Sequence, residues 1–306
     1  MKYQPVSVCI AAHNEESCIT QTLDSILKQT YPEEIEVLVG VNGSTDRTAE
    51  VVQAYSQQHP EVKLIELDEK GKPNAWNVLM EEAKNNYRFF VDGDVIVGTD
   101  AFFQMYKKIE EDKLIGVGTN LVPVLEGCDL LTQAMAPPQG PSGVLCGRLY
   151  VVNNDRLQER LAEQGIEEMP KDIIHEDAWL TIAIGRGNWD TEMQADVFYR
   201  PYHWSEFSRV HVRYIKAKEQ LKEIFPMNYL PTTKNSFVTR NTHRVKKLMG
   251  IPGMVPKLTS LAGYAAKRVA FTVAEQMAKR KVLDSPLDAW EISEFSKELM
   301  PWKFFY

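Results

Sequence analysis

The sequence predicts an α/β protein built on a doubly wound, mostly parallel sheet that is flanked by helices. Short apolar runs alternate with stretches of helical periodicity over the first hundred residues, as expected for parallel strands joined by crossover helices. Polar clusters follow three of these runs, and ligands bind at such strand ends in doubly wound sheets. The 306 residues are enough for one large domain or two packed ones with a substantial core.

Four apolar runs in the first hundred residues are expected to be strands. They are Val6–Ala12, Ile35–Val41, Val62–Leu67 and Tyr87–Val91. The stretches between them are expected to be helices. These are Glu15–Gln29, a helix that runs from the Asn42–Asp46 cluster to about Gln58, and Asn74–Asn85. The Asn42–Asp46 cluster supplies turn residues and an N-cap for its helix.

The pattern is looser between residues 102 and 200. Strands are expected at Leu114–Leu125, Val144–Val152 and, over a shorter length, Val197–Tyr199. A loop rich in proline and glycine covers residues 136–143. After about Trp204 the chain is expected to be helical and basic. The segment Val255–Leu283 is predicted to be an amphipathic helix that either packs on the sheet or lies on a membrane surface.

Composition is typical of a cytoplasmic protein. The four cysteines are scattered without the spacing of a metal site or a redox pair, so reduced thiols are expected. The N-terminal apolar run is too short for a signal peptide, and no window approaches the roughly 18 apolar residues of a membrane span. A peripheral position at the inner face of a membrane is the alternative location.

Charge is distributed unevenly along the chain. The net charge is −7, yet the segment from Arg200 to Lys281 contains 17 Lys and Arg residues against four Glu residues. Such asymmetry favours an anionic partner, either a phosphorylated substrate or an anionic membrane surface. Solvated helix faces are the alternative explanation. No feature of the sequence indicates nucleic-acid binding.

The segment Asp92-Gly93-Asp94 follows the fourth predicted strand. Residues i and i+2 of an extended chain point to the same side, so the two carboxylates are able to converge on one ion. Hard oxygen ligands suit Mg²⁺ or Mn²⁺, which complete their shell with water and substrate phosphates. Asp-Gly is also a common turn dipeptide, so a solvated turn is the alternative.

Five motifs in a fixed order resemble those of the family 2 glycosyltransferases, which share the GT-A fold. They are an opening strand with an Asn-Glu turn (Val6–Glu16), a Gly-Ser-x-Asp turn (Val41–Thr48), a Gly-Lys-x-x-Ala-x-Asn segment (Gly71–Asn77), the Asp-x-Asp motif (Asp92–Asp94) and a Glu-Asp motif (His175–Leu180). The resemblance covers roughly residues 5–215.

The resemblance implies a domain organisation. Residues 1–215 would form a GT-A catalytic domain, with a nucleotide-binding half at 1–98 and an acceptor-binding half at 99–215. Residues 216–306 would then be a helical C-terminal extension.

The resemblance also implies a catalytic arrangement. A divalent cation would stabilise the leaving nucleoside diphosphate, with Asp94 its most direct ligand and Asp92 closer to the ribose or to metal-bound water. Asp177 would be the general base that deprotonates the acceptor hydroxyl, and Glu176 would shape the acceptor pocket. Taken alone, Glu176 and Asp177 are better explained as acids at a helix N-terminus, and their place in the motif order favours the catalytic role.

Several further residues are expected along a nucleotide diphosphate donor, for which a UDP-sugar is the first expectation. They are Ala12, Asn14, Glu15, Asn42, Asp46 and Lys72. Asn14 and Asp46 are also plausible caps or turn residues. Many relatives have an acidic side chain that reads the uracil where Asn42 stands, so the base is left open. Lys72 suits a phosphate but is also compatible with a solvated loop.

Later positions are weaker candidates. His203 is expected as a third metal ligand, with His211 as a competitor and a structural role as the alternative. Arg209 and Arg213, at i and i+4, would face the diphosphate if they lie on one helix. Their segment resembles the Gln-x-x-Arg-Trp motif of processive members, but the Gln and the Trp are absent, so a non-processive enzyme is expected. The loop Gln139–Gly147 either closes on the donor or is a plain connection.

The sequence therefore predicts an inverting, metal-dependent glycosyltransferase. The acceptor hydroxyl is left open among lipid-linked, saccharide, peptide and small-molecule acceptors. A non-catalytic nucleotide-sugar-binding or scaffold subunit is the alternative from another class. A sugar nucleotidyltransferase is disfavoured because Ala11–Glu15 contains no glycine for a phosphate loop.

Overall fold

The computed structural model describes residues 1–225 and three further residues, Ala265, Val269 and Thr272. The described residues fall into two units. The first contains Met1–Val124 and Pro138–Arg200, and the second contains Leu125–Pro137 and residues 201–225. Apart from those three positions, which are helical, the predicted amphipathic helix Val255–Leu283 lies outside the described residues.

The first unit is built on a sheet of eight strands. In chain order these are β1 (Val6–Ala12), β2 (Ile35–Asn42), β3 (Val62–Leu67), β4 (Tyr87–Asp92), β5 (Val95–Val97), β6 (Gly116–Pro123), β7 (Leu149–Asn153) and β8 (Trp189–Tyr199). Their order across the sheet is β3-β2-β1-β4-β7-β6-β8-β5. The first four pair in parallel, β7 is antiparallel to both of its neighbours, and β6 and β8 are parallel.

Helices connect these strands. They are α1 (Ile19–Leu27), α2 (Thr48–Ser56), α3 (Lys72–Glu82), α4 (Ala101–Glu111), α6 (Asn154–Ala162) and α7 (Glu176–Ile184), with α5 (Leu130–Met135) and α8 (Phe207–Ile224) in the second unit. Helices cover both faces of the sheet. Val8 and Ile10 of β1 belong to a core that includes residues of α1, α2 and α4. Cys9, on the opposite face, donates its thiol to the Leu79 carbonyl of α3. The predicted doubly wound α/β class is confirmed.

Two predicted strands differ from the observed ones for identifiable reasons. The sequence predicts one strand over Val144–Val152, but β7 begins only at Leu149. The reason is that the backbone N–H groups of Leu145 and Gly147 bond to side chains of α7 instead of to a strand. The strand expected at Val197–Tyr199 begins at Trp189, and its first half is mostly polar and partly exposed, so it lacks an apolar signal.

Side-chain caps stabilise the starts of two helices in the second unit. Asp129 accepts from the backbone N–H groups of Leu131 and Thr132 at the start of α5. His203 caps a short 3₁₀ helix, Trp204–Glu206, which leads into α8. Because α8 runs to Ile224, the predicted boundary between residues 215 and 216 does not coincide with the end of an element. None of the helices within the described residues has the length and apolar character needed to cross a bilayer.

Candidate active site

The carboxyl ends of β1, β2 and β4 are aligned by the register of the sheet. Ala11 of β1 lies beside Asp92 of β4, and Ala12 lies beside Val41 of β2. The turns that follow the three strands therefore start from neighbouring points on one edge of the sheet. This is the convergence that the sequence predicts.

Lys72, the first residue of α3, lies at this edge of the sheet between two carboxylates. Its ammonium donates to Oδ1 of Asp92 at 2.7 Å and to Oε1 of Glu176 at 2.6 Å. Glu176 is only 4% exposed, whereas the Lys72 side chain retains 24% of its exposure. Burial opposes the charge on Lys72, but the two carboxylates outweigh it and hold the pKa of Lys72 well above its ordinary value. The cluster Lys72–Asp92–Glu176 is thus a charged network.

Asn42 fixes the backbone from which Lys72 projects. Its amide oxygen accepts from the N–H of Gly71 at 3.1 Å, and its amide nitrogen donates to the Gly71 carbonyl at 2.8 Å. Gly71 has φ 125°, a conformation that favours glycine, and α3 begins at the next residue. The structure therefore gives Asn42, which is 1% exposed, a backbone-holding role, and its contact with a nucleobase stays a prediction.

Asn77 makes a second clamp of the same kind. The sequence analysis includes this residue in a motif but predicts no role for it. Its amide donates to the carbonyl of Met169 at 2.8 Å and accepts from the Met169 N–H at 3.1 Å. Met169 lies in the segment that leads to α7, where Glu176 and Asp177 are the first two residues. The Gly-Lys-x-x-Ala-x-Asn segment at the start of α3 thus makes two contacts with the region of the acidic pair. Lys72 bonds to Glu176, and Asn77 bonds to Met169 in the segment before α7.

Asp177 lies beside this network and is held by backbone donors. Gly147 N–H donates to Oδ2 at 3.1 Å, and Ala178 N–H donates to Oδ1 at 2.7 Å. Burial, and next the charge of Glu176, raise the pKa of Asp177 to about 6, with Lys72 and the two backbone donors acting in the opposite direction. With 18% of its side chain exposed, Asp177 is a carboxylate that ionises near neutral pH and remains accessible.

Gly147 covers the charged network from the side of the loop. A methyl group at this position would lie 2.9 Å from Lys72 Nζ and 3.0 Å from Glu176 Oε1. Thr181 ties the same loop to α7, because its hydroxyl accepts from Leu145 N–H and donates to the Asp177 carbonyl. The end of the predicted Gln139–Gly147 loop is therefore bonded to α7, and closure on a donor stays a prediction.

An aromatic layer borders the network. Phe90 stacks on both Trp76 and Tyr150, and the Trp76 indole donates to the Tyr150 hydroxyl at 2.8 Å. Together with Cys9 and Ala11 these rings line a small recess that also touches Lys72, Asp92 and Glu176. The apolar wall lowers the local polarity around the charges and so strengthens their interaction.

The turns after β1 and β2 bind each other. Oδ1 of Asn14, a residue with φ 55°, accepts from Thr45 N–H at 2.7 Å, and Glu15 N–H donates to Thr48 Oγ1 at 2.7 Å. Asp46 accepts from the N–H groups of Glu16 and Thr48, which is the turn role foreseen as an alternative for it. The predicted nucleotide contacts of these residues remain predictions, as does that of the buried Ala12.

Asp92 and Asp94 offer a donor set that fits Mg²⁺ or Mn²⁺. Both are partly exposed at the end of β4, and the backbone between them is close enough to Glu15 that a methyl at Gly93 would lie 3.0 Å from Glu15 Cγ. Such ions usually take one or two protein carboxylates and complete their shell with water and phosphate. Within residues 1–225, no group of three His, Cys, Asp or Glu is arranged to hold a metal.

The candidate metal and diphosphate ligands after residue 200, two histidines and two arginines, lie in the second unit. His203 contacts Asp129 at 3.2 Å through Nε2 and the Ser205 hydroxyl at 2.6 Å through Nδ1, so both ring nitrogens have protein partners. His211 hydrogen-bonds the Phe207 carbonyl, and its ring packs against the Phe207 ring in a tilted arrangement. Arg209 and Arg213 lie one turn apart on α8, as the sequence predicts. Their binding to metal or diphosphate stays a prediction.

Comparison with known proteins identifies relatives of this chain. The family model described as glycosyl transferase family 2 matches residues 7–182. Poly-beta-1,6-N-acetyl-D-glucosamine synthase from Staphylococcus epidermidis is 31% identical over 115 residues, which is 37% of this chain and 27% of that protein. Poly(ribitol-phosphate) beta-glucosyltransferase from Bacillus spizizenii is 31% identical over 128 residues, or 39% of this chain and 20% of that one. The matches thus span about a quarter of these relatives' length.

Solved structures share the fold. A mannosyltransferase from Pyrobaculum calidifontis, in complex with GDP-Man and Mn²⁺, superposes with a TM-score of 0.58 at 19% identity, over 93% of this chain and 82% of that one. Residues 1–349 of S. aureus TarS in complex with UDP-GlcNAc give a TM-score of 0.51 at 17% identity, over 90% and 92% of the two chains. Identities this low establish a common architecture alone.

Gly147→Ala should destabilise the first unit, because the added methyl would push the Lys72 ammonium and the Glu176 carboxylate away from their paired positions. Overpacking of this kind costs about 1–3 kcal/mol of unfolding free energy. Urea unfolding would measure the loss. Gly118→Ala is the control, since its methyl would lie at an ordinary 3.7 Å from Leu145. Equal unfolding midpoints for the two variants would contradict this account.

Asn42→Ala should lower the free energy of unfolding by about 1–3 kcal/mol, because it leaves the N–H of Gly71 without its side-chain partner. The Gly71 carbonyl loses one of two donors and still accepts from Ala75 N–H. The exposed amide Gln58→Ala provides the control and should change stability by less than about 0.5 kcal/mol. Thermal and urea unfolding of both variants would check the difference. A variant at position 42 as stable as the control would show that the clamp does not hold Gly71.

Proposed function

Because the chain belongs to glycosyl transferase family 2, we propose that it transfers a sugar from a nucleotide diphosphate donor to a hydroxyl group of an acceptor, with inversion at the anomeric carbon. The observation that carries the proposal is the environment of Asp177. This carboxylate has a pKa of about 6, is partly exposed, and lies beside a charged network that reaches the Asp-x-Asp segment. A general base works best when its pKa is close to the operating pH.

Asp177 would act on the acceptor. Its two backbone donors, Gly147 N–H and Ala178 N–H, keep the carboxylate in one orientation, and each oxygen retains a lone pair for the acceptor hydroxyl. The hydroxyl would lose its proton to Asp177 as its oxygen bonds to the anomeric carbon and the bond to the diphosphate breaks. A single displacement, in which the acceptor oxygen attacks from the face opposite the leaving group, gives inversion.

Asp94 and Asp92 would hold a divalent cation, Mn²⁺ or Mg²⁺, at the leaving group. When bound, the ion supplies Lewis-acid stabilisation of the departing nucleoside diphosphate. Asp94 would be its more direct ligand, because one oxygen of Asp92 is already bonded to Lys72.

A nucleotide sugar is the donor class that the comparisons favour, and a UDP-sugar is the first donor to test. The two relatives above are named for N-acetylglucosamine and glucosyl transfer, and the related structures are complexes with UDP-GlcNAc and with GDP-Man. The acceptor is proposed only as a hydroxyl compound. A non-processive reaction, a cytoplasmic location and contact of the basic C-terminal segment with an anionic membrane are parts of the same proposal that rest on the sequence.

Asp177→Asn should reduce kcat/KM by about 10²–10⁴-fold, the range for loss of a general base. In the wild type the base is active when deprotonated, so kcat/KM should be level at neutral pH and fall as the pH drops below about 6. A pH series of initial rates with a UDP-sugar donor would measure both effects. The exposed Glu167→Gln is the control. An acidic limb that persists unchanged in Asp177→Asn would contradict the assignment of the base.

Asp94→Ala should abolish metal-dependent donor binding, because it removes the more direct oxygen ligand. Calorimetry with UDP-, GDP- and dTDP-sugars, each with Mn²⁺ and with a chelator, would measure binding. Asp112→Ala, at the exposed C-terminal end of α4, is the control. Binding without turnover across acceptors would favour a non-catalytic subunit, and unchanged binding in Asp94→Ala would exclude the metal site.

A further inference from the structure

Lys72 joins two carboxylates that are separated by 84 residues and have different proposed tasks. Asp92 belongs to the metal and donor side of the site, and Glu176 immediately precedes the proposed base. The contacts of 2.7 and 2.6 Å are the distances of charge-assisted hydrogen bonds. An ammonium group has three donors, so two of the three are committed to these carboxylates.

We propose that Lys72 is a positioning residue that holds Asp92 and Glu176 together before the donor binds, and not a ligand of the donor phosphates. The proposal rests on the proposed glycosyl transfer, and it identifies how the metal side and the acceptor side of that site are connected.

The burial of Glu176 is the first argument. Only 4% of this residue is exposed, and Lys72 is the cation whose contact with it the structure defines. A buried carboxylate that loses its counter-ion is strongly destabilised. Movement of Lys72 to a phosphate would impose this cost each time a donor bound, whereas a lysine that stays in place avoids it.

Restraint of Lys72 on both sides is the second argument. Its backbone starts α3 directly after Gly71, which the Asn42 amide clamps through both backbone groups. On the opposite side, the Cα of Gly147 packs so closely that an added methyl would lie 2.9 Å from Nζ. A phosphate-binding lysine normally acts as a mobile point charge on a flexible stem, and this site restricts that freedom.

Two measurable consequences follow. The ammonium neutralises Asp92 and occupies its Oδ1, so Lys72 competes with a metal ion for that carboxylate. The ammonium also lowers the pKa of Asp177, which burial and the charge of Glu176 raise. Among the described contacts, the His175 ring is a further titratable group near Asp177, at 3.9 Å. Removing the lysine should therefore strengthen binding of Mn²⁺ alone and shift the ionisation of Asp177 to higher pH.

Lys72→Met and Lys72→Arg test the proposal, with Lys171→Met as the control because Lys171 forms an exposed pair with Glu69. Three quantities are measured on the full chain: the affinity for Mn²⁺ alone, the affinity for a UDP-sugar with Mn²⁺, and kcat/KM against pH. In Lys72→Met we expect tighter Mn²⁺ binding, donor affinity close to that of the wild type, a lower kcat and an acidic limb displaced to higher pH. Lys72→Arg should restore part of kcat.

A loss of donor affinity of about tenfold or more in Lys72→Met, with Mn²⁺ binding unchanged, would overturn the proposal and make Lys72 a phosphate ligand. If Lys72→Met does not fold, the double variant Lys72→Met with Glu176→Gln removes both buried charges and should still bind Mn²⁺ more tightly. Absence of turnover in the wild type would refute the proposed function alone, because the Mn²⁺ titration decides the role of Lys72 without it.

Discussion

The arrangement of the site depends on one constraint, the burial of the Glu176 carboxylate against the Lys72 ammonium. A charge this deep needs a partner at hydrogen-bond distance, and here the partner projects from a backbone that Asn42 holds in place. This requirement accounts for the left-handed Gly71 before α3, for the buried Asn42 that clamps it, and for the absence of a side chain at Gly147. Residues that look unrelated in the sequence thus serve one ion pair.

Much of the fold is predictable from the sequence because it depends on local patterns. Observed β1 and β3 have the predicted bounds, since each is a short apolar run between turn residues. Prediction fails where a distant side chain decides the conformation. Leu145 and Gly147 lie in a segment predicted to be a strand, yet their N–H groups bond to Thr181 and Asp177 of α7. The polar first half of β8 is paired with β6, and no local signal indicates that pairing.

In the site, too, some features are predictable from the sequence and others depend on distant contacts. The resemblance to the family 2 glycosyltransferases implies that Asp92 and the Glu176–Asp177 pair serve one site, and the structure brings Asp92 and Glu176 to the same lysine. The partners of each side chain are not predictable in this way. Asn42 and Asn77 are polar residues near turns in the sequence, and only the folded chain brings each amide to both backbone groups of a residue about 30 or 92 positions away.

The electrostatic logic of the acidic pair follows from these contacts. Glu176 and Asp177 are adjacent in the chain, yet their environments differ. One carboxylate is paired with an ammonium, while the other accepts from two backbone N–H groups, lies 3.9 Å from the His175 ring and has a pKa of about 6. Environments that separate two neighbouring carboxylates in this way assign them different tasks. In the proposed mechanism, Glu176 anchors Lys72 and Asp177 exchanges the proton. Because Lys72 contacts Asp92 as well, the proposed mechanism places one ammonium between the carboxylate expected to face the metal and the carboxylate that precedes the proposed base.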